Sequence, residues 1–333
     1  MIIKSINLVN FRNHTDYQLK FNKDTTLILG KNGCGKTSVL EAIYIALRGK
    51  SFRGVDQDII KNQTDFYRIS LETDNNQTIT ITFDHQTKTF HLLDKKTRRL
   101  PKNQKYPIVL FLPSDLSLIS GSPSRRREYF NRFLSILSEE YSQNLSRYEK
   151  ALRQRNEILK SNNPLASDLF SWNILLAKYG VLLSSYRQEI ISKINQNYNR
   201  TYSSISNNQD IVELIYQTDI QQKTAEYYLK TLESNFSKDT CLGHTSFGIH
   251  RDDFEFFFNH KPAELNASRG ESRSLILALK FIEADIINQT LHQKPIILLD
   301  DVFSELDQTH RKSLIDNFKN HQVIITSVED ITR

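Results

Sequence analysis

The pattern of apolar and polar positions along the chain predicts an α/β fold interrupted by long helices. Over roughly the first 110 residues, apolar runs such as residues 2–11 and Thr25–Leu29 are separated by polar turns, as in a sheet. At residues 124–160 the apolar positions instead recur at helical spacing along one stripe, and this pattern returns at residues 167–197. We predict that these two segments form an antiparallel helical hairpin.

After the predicted hairpin the chain returns to strand-like runs. Strands are predicted at residues 211–216, 254–258, 295–299 and 323–326, and a helix at residues 272–288. We therefore predict one α/β domain formed by residues 1–115 and 241–333, with a mainly helical lid or arm domain inserted at residues 116–240.

Composition adds only broad limits to this prediction. The 333 residues include 44 Lys and Arg against 38 Asp and Glu, which gives a net charge of +6. This excess permits a nucleic-acid partner without requiring one. Cys34 and Cys241 lie far apart in the sequence, and we read both as free thiols in a reducing cytosol. No stretch approaches the roughly 18 to 20 apolar residues of a membrane span, so we expect a soluble, cytoplasmic protein without a membrane partner.

A glycine-rich segment between a predicted strand and a predicted helix carries the most specific chemistry. It fits the pattern G-x-x-x-x-G-K-[ST] in full with Gly30, Lys31, Asn32, Gly33, Cys34, Gly35, Lys36 and Thr37. Glycines let such a loop wrap around phosphates, so that amide N–H groups and the helix N-terminus face them. We predict that this loop and Ser38 bind ATP, that Lys36 reaches its β- and γ-phosphates, and that Thr37 binds Mg²⁺.

Two acidic residues follow a continuous apolar strand near the end of the chain. Asp300 and Asp301 come directly after residues 295–299, at the strand end where ligands bind in open α/β sheets. We predict that Asp300 holds Mg²⁺ through water and that Asp301 is the general base for the attacking water. The alternative is a capping turn in which one Asp caps a helix.

A serine-glycine segment precedes the predicted helix at residues 272–288. It consists of Ser268, Arg269, Gly270 and Glu271. A serine and a glycine at a helix N-terminus form a second place where a phosphate can bind. Taken alone, the segment is more typical of an ordinary helix N-cap than of a phosphate site.

The order of these motifs resembles the layout of ABC-type ATPases, and the helical insert resembles the SMC branch. Within that class the chain resembles the RecF family through several sequence blocks. These blocks are NFRN at residues 10–13, LPSDL at 112–116, GSP at 121–123, RRR at 125–127, GIHRDD at 248–253 and LDDVFSELD at 299–307. The fold class that the resemblance implies is an ABC/SMC-type P-loop ATPase head with an inserted α-helical lid domain.

The resemblance also implies a function in recombinational repair and replication restart. Two subunits would close head to tail around two ATP molecules on DNA, and slow, DNA-dependent ATP hydrolysis would release them. Ser268 would act in trans on the γ-phosphate, Asp307 would lie at the dimer seam, and the Arg53 region would contact the nucleotide. RecO and RecR would be partners at gaps where duplex meets single strand.

The DNA-binding surface is the least determined part of the prediction. Candidates are two basic clusters, Lys95, Lys96, Arg98 and Arg99 in the first and Arg125, Arg126 and Arg127 in the second. A solvated helix face is the alternative for the second cluster, because i,i+4 pairs of opposite charge follow it. We interpret residues 250–253 as an ion-paired structural turn, with a role at the site as the alternative.

Two other function classes are compatible with an ABC-type ATPase. One is the ATP-binding subunit of a transporter, which would need a membrane partner. The other is a nuclease-linked ATPase, which would need a carboxylate-bearing nuclease domain that the remaining residues do not accommodate. The intact Lys36, Thr37, Asp300 and Asp301 count against an inert structural protein.

Overall fold

A computed structural model describes residues 1–75, 77–92, 95–301, 318 and 320–328. The chain divides into two compact units, Met1–Asp115 with Ala284–Arg333, and Leu116–Glu283. We call them the head unit and the helical unit. No helix among the described residues is long and apolar enough to cross a membrane. The predicted segment Ser304–Asp307 lies outside the described residues, and with it the predicted seam residue Asp307.

The strands and helices of the described residues follow in chain order. The strands are β1 (Ile3–Phe11), β2 (His14–Lys20), β3 (Thr25–Leu29), β4 (Tyr67–Thr73), β5 (Thr78–Phe83), β6 (Lys88–Leu92), β7 (Lys95–Thr97), β8 (Ile108–Phe111), β9 (Val212–Gln217), β10 (Asp253–Phe258), β11 (Lys261–Pro262), β12 (Ile296–Asp300) and β13 (Val323–Ser327). The helices are α1 (Lys36–Arg48), α2 (Ser117–Ser120), α3 (Pro123–Leu137), α4 (Glu139–Leu159), α5 (Ala166–Ser206), α6 (Ala225–Ser234), α7 (Phe236–Leu242), α8 (Ala263–Asn266) and α9 (Arg269–Leu291).

The head unit contains two sheets that share one apolar core. An antiparallel sheet has the order β2-β1-β4-β5-β6-β7, and a parallel sheet has the order β3-β13-β12-β8. The parallel strands β12 and β13 are buried along their whole length, as expected for strands that are covered on both faces. Parallel pairing aligns the carboxyl ends of β3, β12 and β13 at one edge of this sheet.

Helix α1 lies in the core of the head unit and contacts strands of both sheets. Its residues from Ser38 to Leu47 are all buried, which explains why apolar residues occur on every side of the helix and not on one stripe. Gly49 ends the helix in the left-handed region, and its N–H donates to the Ile45 carbonyl. The helix is thereby fixed at its far end while its N-terminus opens onto the glycine-rich loop.

The helical unit departs from the predicted single helix at residues 124–160. The chain breaks at Ser138, whose backbone is extended, so that α3 and α4 are separate helices. The Ser138 hydroxyl caps α4 by accepting from the Tyr141 N–H at 3.1 Å, and Glu139 and Glu140 occupy the first turn. A serine cap followed by two glutamates is a typical helix start. The prediction of one helix was wrong because the apolar stripe continues through this start. Helix α5 packs along α4 and extends to Ser206, beyond its predicted end at residue 197.

Packing inside the helical unit is organised around buried arginines. The fully buried Arg155 bonds Asp239 at 2.7 Å, and Arg187 bonds Asp252 at 3.1 Å. Burial lowers the pKa of His250 to about 4, so its ring is neutral at physiological pH. The ring accepts a hydrogen bond from the Tyr148 hydroxyl at Nδ1, at 2.8 Å. Its Nε2–H donates to the Thr245 carbonyl. These contacts favour the structural reading of residues 250–253.

The boundaries of the units differ in one respect from the predicted domains. Residues 241–283 lie in the helical unit, because β10 pairs with β9 and the Tyr198 hydroxyl of α5 donates to the Leu275 carbonyl of α9. The prediction had assigned these residues to the ATPase head on account of the Ser268 motif. The assignment of residues 241–283 to the ATPase head by function therefore stays a prediction.

Candidate nucleotide-binding site

The glycine-rich loop connects β3 to α1 in the head unit, as predicted from its flanking patterns. Gly33 and Gly35 have φ values of 82° and 98°, a region that favours glycine. The Gly30 N–H donates to the Ser327 carbonyl at 3.3 Å, which ties the start of the loop to the end of the neighbouring strand β13. The two glycines and the contact with β13 therefore fix the conformation of the loop backbone.

Lys36 and Thr37 open α1 and point their polar atoms to different places. The Lys36 ammonium donates to the carbonyls of Gly30 and Lys31, at 2.5 and 3.1 Å, and so lies within the curve of the loop. The Thr37 hydroxyl lies 2.8 and 2.9 Å from the two carboxylate oxygens of Asp300. Residues 37 and 300 are thus brought together across the sequence, and their common role at a magnesium ion stays a prediction.

Asp300 and Asp301 lie at the carboxyl end of β12. Asp300 is buried, and it also accepts from the Thr326 hydroxyl at 2.8 Å. Asp301 has a positive φ of 49°, and its N–H donates to the carbonyl and the hydroxyl of Thr326 at 3.2 and 3.0 Å. Thr326, which carried no role in the sequence prediction, therefore positions both acids.

A buried carboxylate beside the loop joins two arginines. Glu41 is fully buried and accepts from Arg12 at 2.8 and 3.0 Å and from Arg53 at 3.0 Å. Arg53 also donates to the Ser38 hydroxyl at 3.3 Å, so the predicted Arg53 region does lie beside α1. Two cations on one carboxylate leave one net positive charge near the helix start. Burial alone would raise the pKa of Glu41, but hydrogen bonds from Arg12 and Ser51 and the charges of both arginines lower it.

The predicted signature segment forms the N-terminus of α9 in the helical unit. The Ser268 N–H donates to the Glu271 carboxylate at 2.6 Å, and the Glu271 N–H donates to the Ser268 hydroxyl at 3.3 Å. This reciprocal pair is a capping box. Ser268, Arg269 and Gly270 are exposed, and a Cβ added at Gly270 would meet no heavy atom within 4 Å. The segment is therefore a helix cap whose outer side is open to approach.

The two predicted basic clusters differ in exposure. Arg126 is buried and bidentate with Asp253 at 2.7 Å, and Arg127 donates to the Asp252 carbonyl at 2.7 Å. These contacts oppose the predicted phosphate contact of Arg126 and Arg127. Arg125 is exposed, and its guanidinium contacts the Ser117 hydroxyl.

Lys95, Lys96, Arg98 and Arg99 are all exposed on the head unit, at the edge strand β7 and the turn after it. The following chain adds cations that the sequence analysis did not single out. Partial burial and the charges of Arg48, Lys50 and Lys102 lower the pKa of Lys105. Residues 95–105 contain six Lys and Arg and no acid, KKTRRLPKNQK. We call Arg48, Lys50 and the cations of residues 95–105 the basic surface.

The donor set at the loop fits a nucleoside triphosphate and a magnesium ion. The Lys36 ammonium and the loop amides suit phosphate oxygens, and the Thr37 hydroxyl beside the Asp300 carboxylate supplies the hard oxygen ligands that Mg²⁺ prefers. Among the described residues, no group of three or more His, Cys, Asp or Glu side chains could hold a metal by itself. Magnesium held by few protein oxygens together with substrate phosphates is typical of such sites.

Comparison with known proteins finds matches over nearly the whole chain. The family model described as AAA ATPase domain matches residues 1–331. The DNA replication and repair protein RecF of Natranaerobius thermophilus is 34% identical, over 99% of this chain and 92% of that protein. RecF of Clostridium botulinum is 33% identical, over 100% of this chain and 94% of that protein.

Solved structures show the same similarity at the level of the fold. A structure described as the recombination mediator protein RecF with ATP in the RecFOR pathway is 27% identical, with a TM-score of 0.89 over 100% of this chain and 93% of that chain. The SMC head domain of Pyrococcus furiosus shares the fold at 17% identity, with a TM-score of 0.55 over 99% of this chain and 90% of that one. Fold and site together define a P-loop ATPase of the ABC/SMC type. Within this class, the chain belongs to the RecF family.

The Glu41 carboxylate generates a prediction about stability and pH. Glu41→Gln leaves Arg12 and Arg53 without their counter-charge. We expect the free energy of unfolding to fall by about 2 kcal/mol at neutral pH. This is less than for a fully enclosed ion pair, because both arginines reach solvent. Because folding lowers the pKa of Glu41, its contribution is complete above the ordinary value of 4.5 and is lost as the pH falls through the lowered value.

Urea unfolding of the parent and Glu41→Gln at neutral and acidic pH measures this contribution. The difference in unfolding free energy should shrink toward the acid end. Asp16→Asn, at an exposed carboxyl of β2, controls for the loss of one negative charge. Equal stability of the parent and Glu41→Gln at neutral pH would contradict the assigned role of the carboxylate.

Proposed function

We propose that this chain is an ATP-dependent DNA-binding protein of DNA replication and repair, in which ATP binding closes a homodimer on DNA and slow hydrolysis releases it. The observation that carries the proposal is the contact between the Thr37 hydroxyl of the P-loop and the Asp300 carboxylate at the end of β12. The relatives' description as DNA replication and repair proteins supports the cellular role. Their structures with ATP support nucleotide binding.

Each residue of the nucleotide site has a defined task in this proposal. Lys36 leaves the loop carbonyls for the β- and γ-phosphates, and the loop amides hold the remaining phosphate oxygens. Thr37 and Asp300 hold Mg²⁺, which when bound neutralises phosphate charge. Asp301 accepts the proton of the attacking water, and its backbone is fixed by Thr326 for that purpose.

Dimerisation uses the exposed N-terminus of α9. Ser268 and the amides of Gly270 and Glu271 would meet the γ-phosphate bound by the other subunit, with Asp307 near the seam. The open space at Gly270 leaves room for a phosphate. Leu265, which is 82% exposed three residues before Ser268, provides apolar area of the kind that interfaces bury.

The basic surface is the proposed DNA contact, since its positive charges suit the phosphates of a nucleic-acid backbone. Arg125 stays a candidate because it is exposed, whereas Arg126 and Arg127 are engaged within the helical unit. The preferred DNA in the proposal is a gap where duplex meets single strand. RecR and RecO are the proposed protein partners, in keeping with relatives described as part of the RecFOR pathway.

Two substitutions in the nucleotide site should have opposite effects on DNA binding. Lys36→Met removes the loop ammonium, so we expect loss of ATP binding and of ATP-dependent binding to gapped DNA. Asp301→Asn retains Asp300 but removes the base, so ATP turnover should fall about 100-fold or more and the DNA complex should persist longer. Turnover assays and DNA-binding assays with and without ATP measure both effects, with the exposed Lys23→Met as a control. Parent-like DNA binding by Lys36→Met in the presence of ATP would refute the switch.

The basic surface should set the salt dependence of DNA binding. Log affinity falls with log salt at a slope of about −0.9 per phosphate neutralised, so Arg98→Glu with Arg99→Glu should reduce the magnitude of this slope by up to about two units. ATP affinity should not change. The matched control is Lys223→Glu with Lys238→Glu, two exposed cations of the helical unit that give the same change in net charge. An undiminished slope in the Arg98 and Arg99 variant would place the DNA on another surface.

The dimer is tested by mixing two inactive variants. Ser268→Arg should bind ATP nearly as well as the parent but fail to dimerise, because a bulky cation occupies the seam. In a mixed dimer with Lys36→Met, one composite site contains intact Lys36 and Ser268, and the other has lost both. If the single arginine at the dead site is tolerated, hydrolysis should therefore partly recover in the mixture, relative to each variant alone at the same total concentration. Full activity of Ser268→Arg alone would mean that the serine is only a helix cap.

A further inference from the structure

The turn between β1 and β2 reaches the glycine-rich loop with two consecutive side chains. The Asn13 amide donates to the Gly33 carbonyl at 3.0 Å, and His14 Nε2 lies 3.1 Å from the Gly35 carbonyl oxygen. Since a carbonyl oxygen only accepts, Nε2 carries the proton in this contact. No motif in the sequence assigns these two residues to the nucleotide site.

The turn is held in place independently of these two contacts. Arg12 adopts a positive φ of 53°, and its guanidinium bonds both Glu41 and the Asp58 carbonyl. The His14 ring is backed by the Tyr17 ring, with 4.5 Å between centroids. On its other side, a Cβ at Gly35 would lie only 2.8 Å from the His14 Cε1 atom. Gly35 is therefore required both by its φ of 98° and by the closeness of this ring.

The contacts constrain the two peptide groups that matter for phosphate binding. In a planar trans peptide the C=O and N–H groups point in opposite directions. The Gly33 carbonyl shares its peptide with the Cys34 N–H, and the Gly35 carbonyl shares its peptide with the Lys36 N–H. Holding both oxygens from the hairpin side turns both N–H groups away from the hairpin. The Cys34 N–H accordingly points to the Lys31 carbonyl across the loop, at 3.3 Å, where the Lys36 ammonium also lies.

The contacts of Asn13 and His14 differ in how strongly they constrain the orientation of the loop. The Gly35 carbonyl also accepts from Ser38 N–H at 2.9 Å, as the first acceptor of α1, so His14 reinforces an orientation that the helix already favours. The Gly33 carbonyl precedes the helix, and Gly33 itself, at a φ of 82°, offers little resistance to a peptide flip. Asn13 is consequently the stronger determinant of the two.

We infer that Asn13 and His14 are positioning residues of the nucleotide site, which hold the loop carbonyls outward so that the Cys34 and Lys36 amides face the phosphates. The inference rests on the proposed ATP binding at this loop. The β1–β2 turn therefore contributes to binding of the phosphate groups, which ATP and ADP share, and not to binding of the base.

The test compares nucleotide affinity in Asn13→Ala, His14→Ala and the double variant. Each single loss should weaken ATP and ADP about three- to tenfold, as expected for one orienting hydrogen bond, and the double variant should weaken both more than either single variant does. His14→Gln, which keeps an N–H donor on a side chain of similar reach, should recover most of the loss. Gln18→Ala, at an exposed position of the same hairpin, is the matched control.

A role confined to folding would change different quantities. Orientation of the loop predicts a higher KM for ATP with little change in kcat, an unchanged unfolding midpoint without nucleotide, and a smaller rise of that midpoint when ATP is added. If the parent binds ATP and the double variant binds it within twofold of the parent, the inference is overturned while the proposed function stands. If the parent binds no ATP, both are overturned.

Discussion

The contact between the Thr37 hydroxyl and the Asp300 carboxylate joins parts of the head unit that are 263 positions apart in the sequence. It is possible because β3 and β12 are parallel strands separated only by β13, so that their carboxyl ends open at the same edge of the sheet. The loop after β3 and the acids after β12 therefore meet whatever the length of the chain between them. The whole helical unit is inserted within that interval without altering the register of the parallel sheet.

Thr326 and Ser327 show how β13 supports the site from between these strands. The Thr326 hydroxyl bonds the Asp300 carboxylate and also receives the Asp301 N–H, and the Ser327 carbonyl receives the Gly30 N–H. A single strand end thus fixes both Asp300, the acid proposed to bind magnesium, and the start of the loop. The positive φ of Asp301 is retained because its N–H has these partners, a combination typical of residues that are held for function.

The sequence predicted the parts of the structure that depend on local pattern or on family resemblance. The strand-loop-helix order around residues 30–37 was confirmed, because periodicity and glycine content act locally. The break at Ser138 was missed, since the apolar stripe continues through it although a serine followed by two glutamates marks a helix start. Arg126 was a candidate for contact with DNA, because burial cannot be read from a run of three arginines. Its partner Asp253 is 127 positions away.

The contacts of the β1–β2 turn were not predictable for a related reason. Asn13 ends a sequence block that the family resemblance noted, and His14 follows it directly, but their partners are backbone carbonyls, which leave no trace in residue identity. Only the geometry of the turn, with Arg12 at a positive φ, reveals where these side chains point. Glu41 was overlooked because an acid within an apolar helix is normally read as an exposed position.

Charge at the start of α1 is arranged differently from that at the start of α4. Helix α4 places Glu139 and Glu140 in its first turn, where they offset the partial positive charge of the helix terminus. Helix α1 has no acid in its first turn. The first carboxylate within the helix is that of Glu41, which lies in the second turn and is neutralised by two arginines. In the proposed function, the positive end of this helix, Lys36 and the surplus arginine charge would favour a bound phosphate, and the N–H groups turned toward the loop interior would hold it.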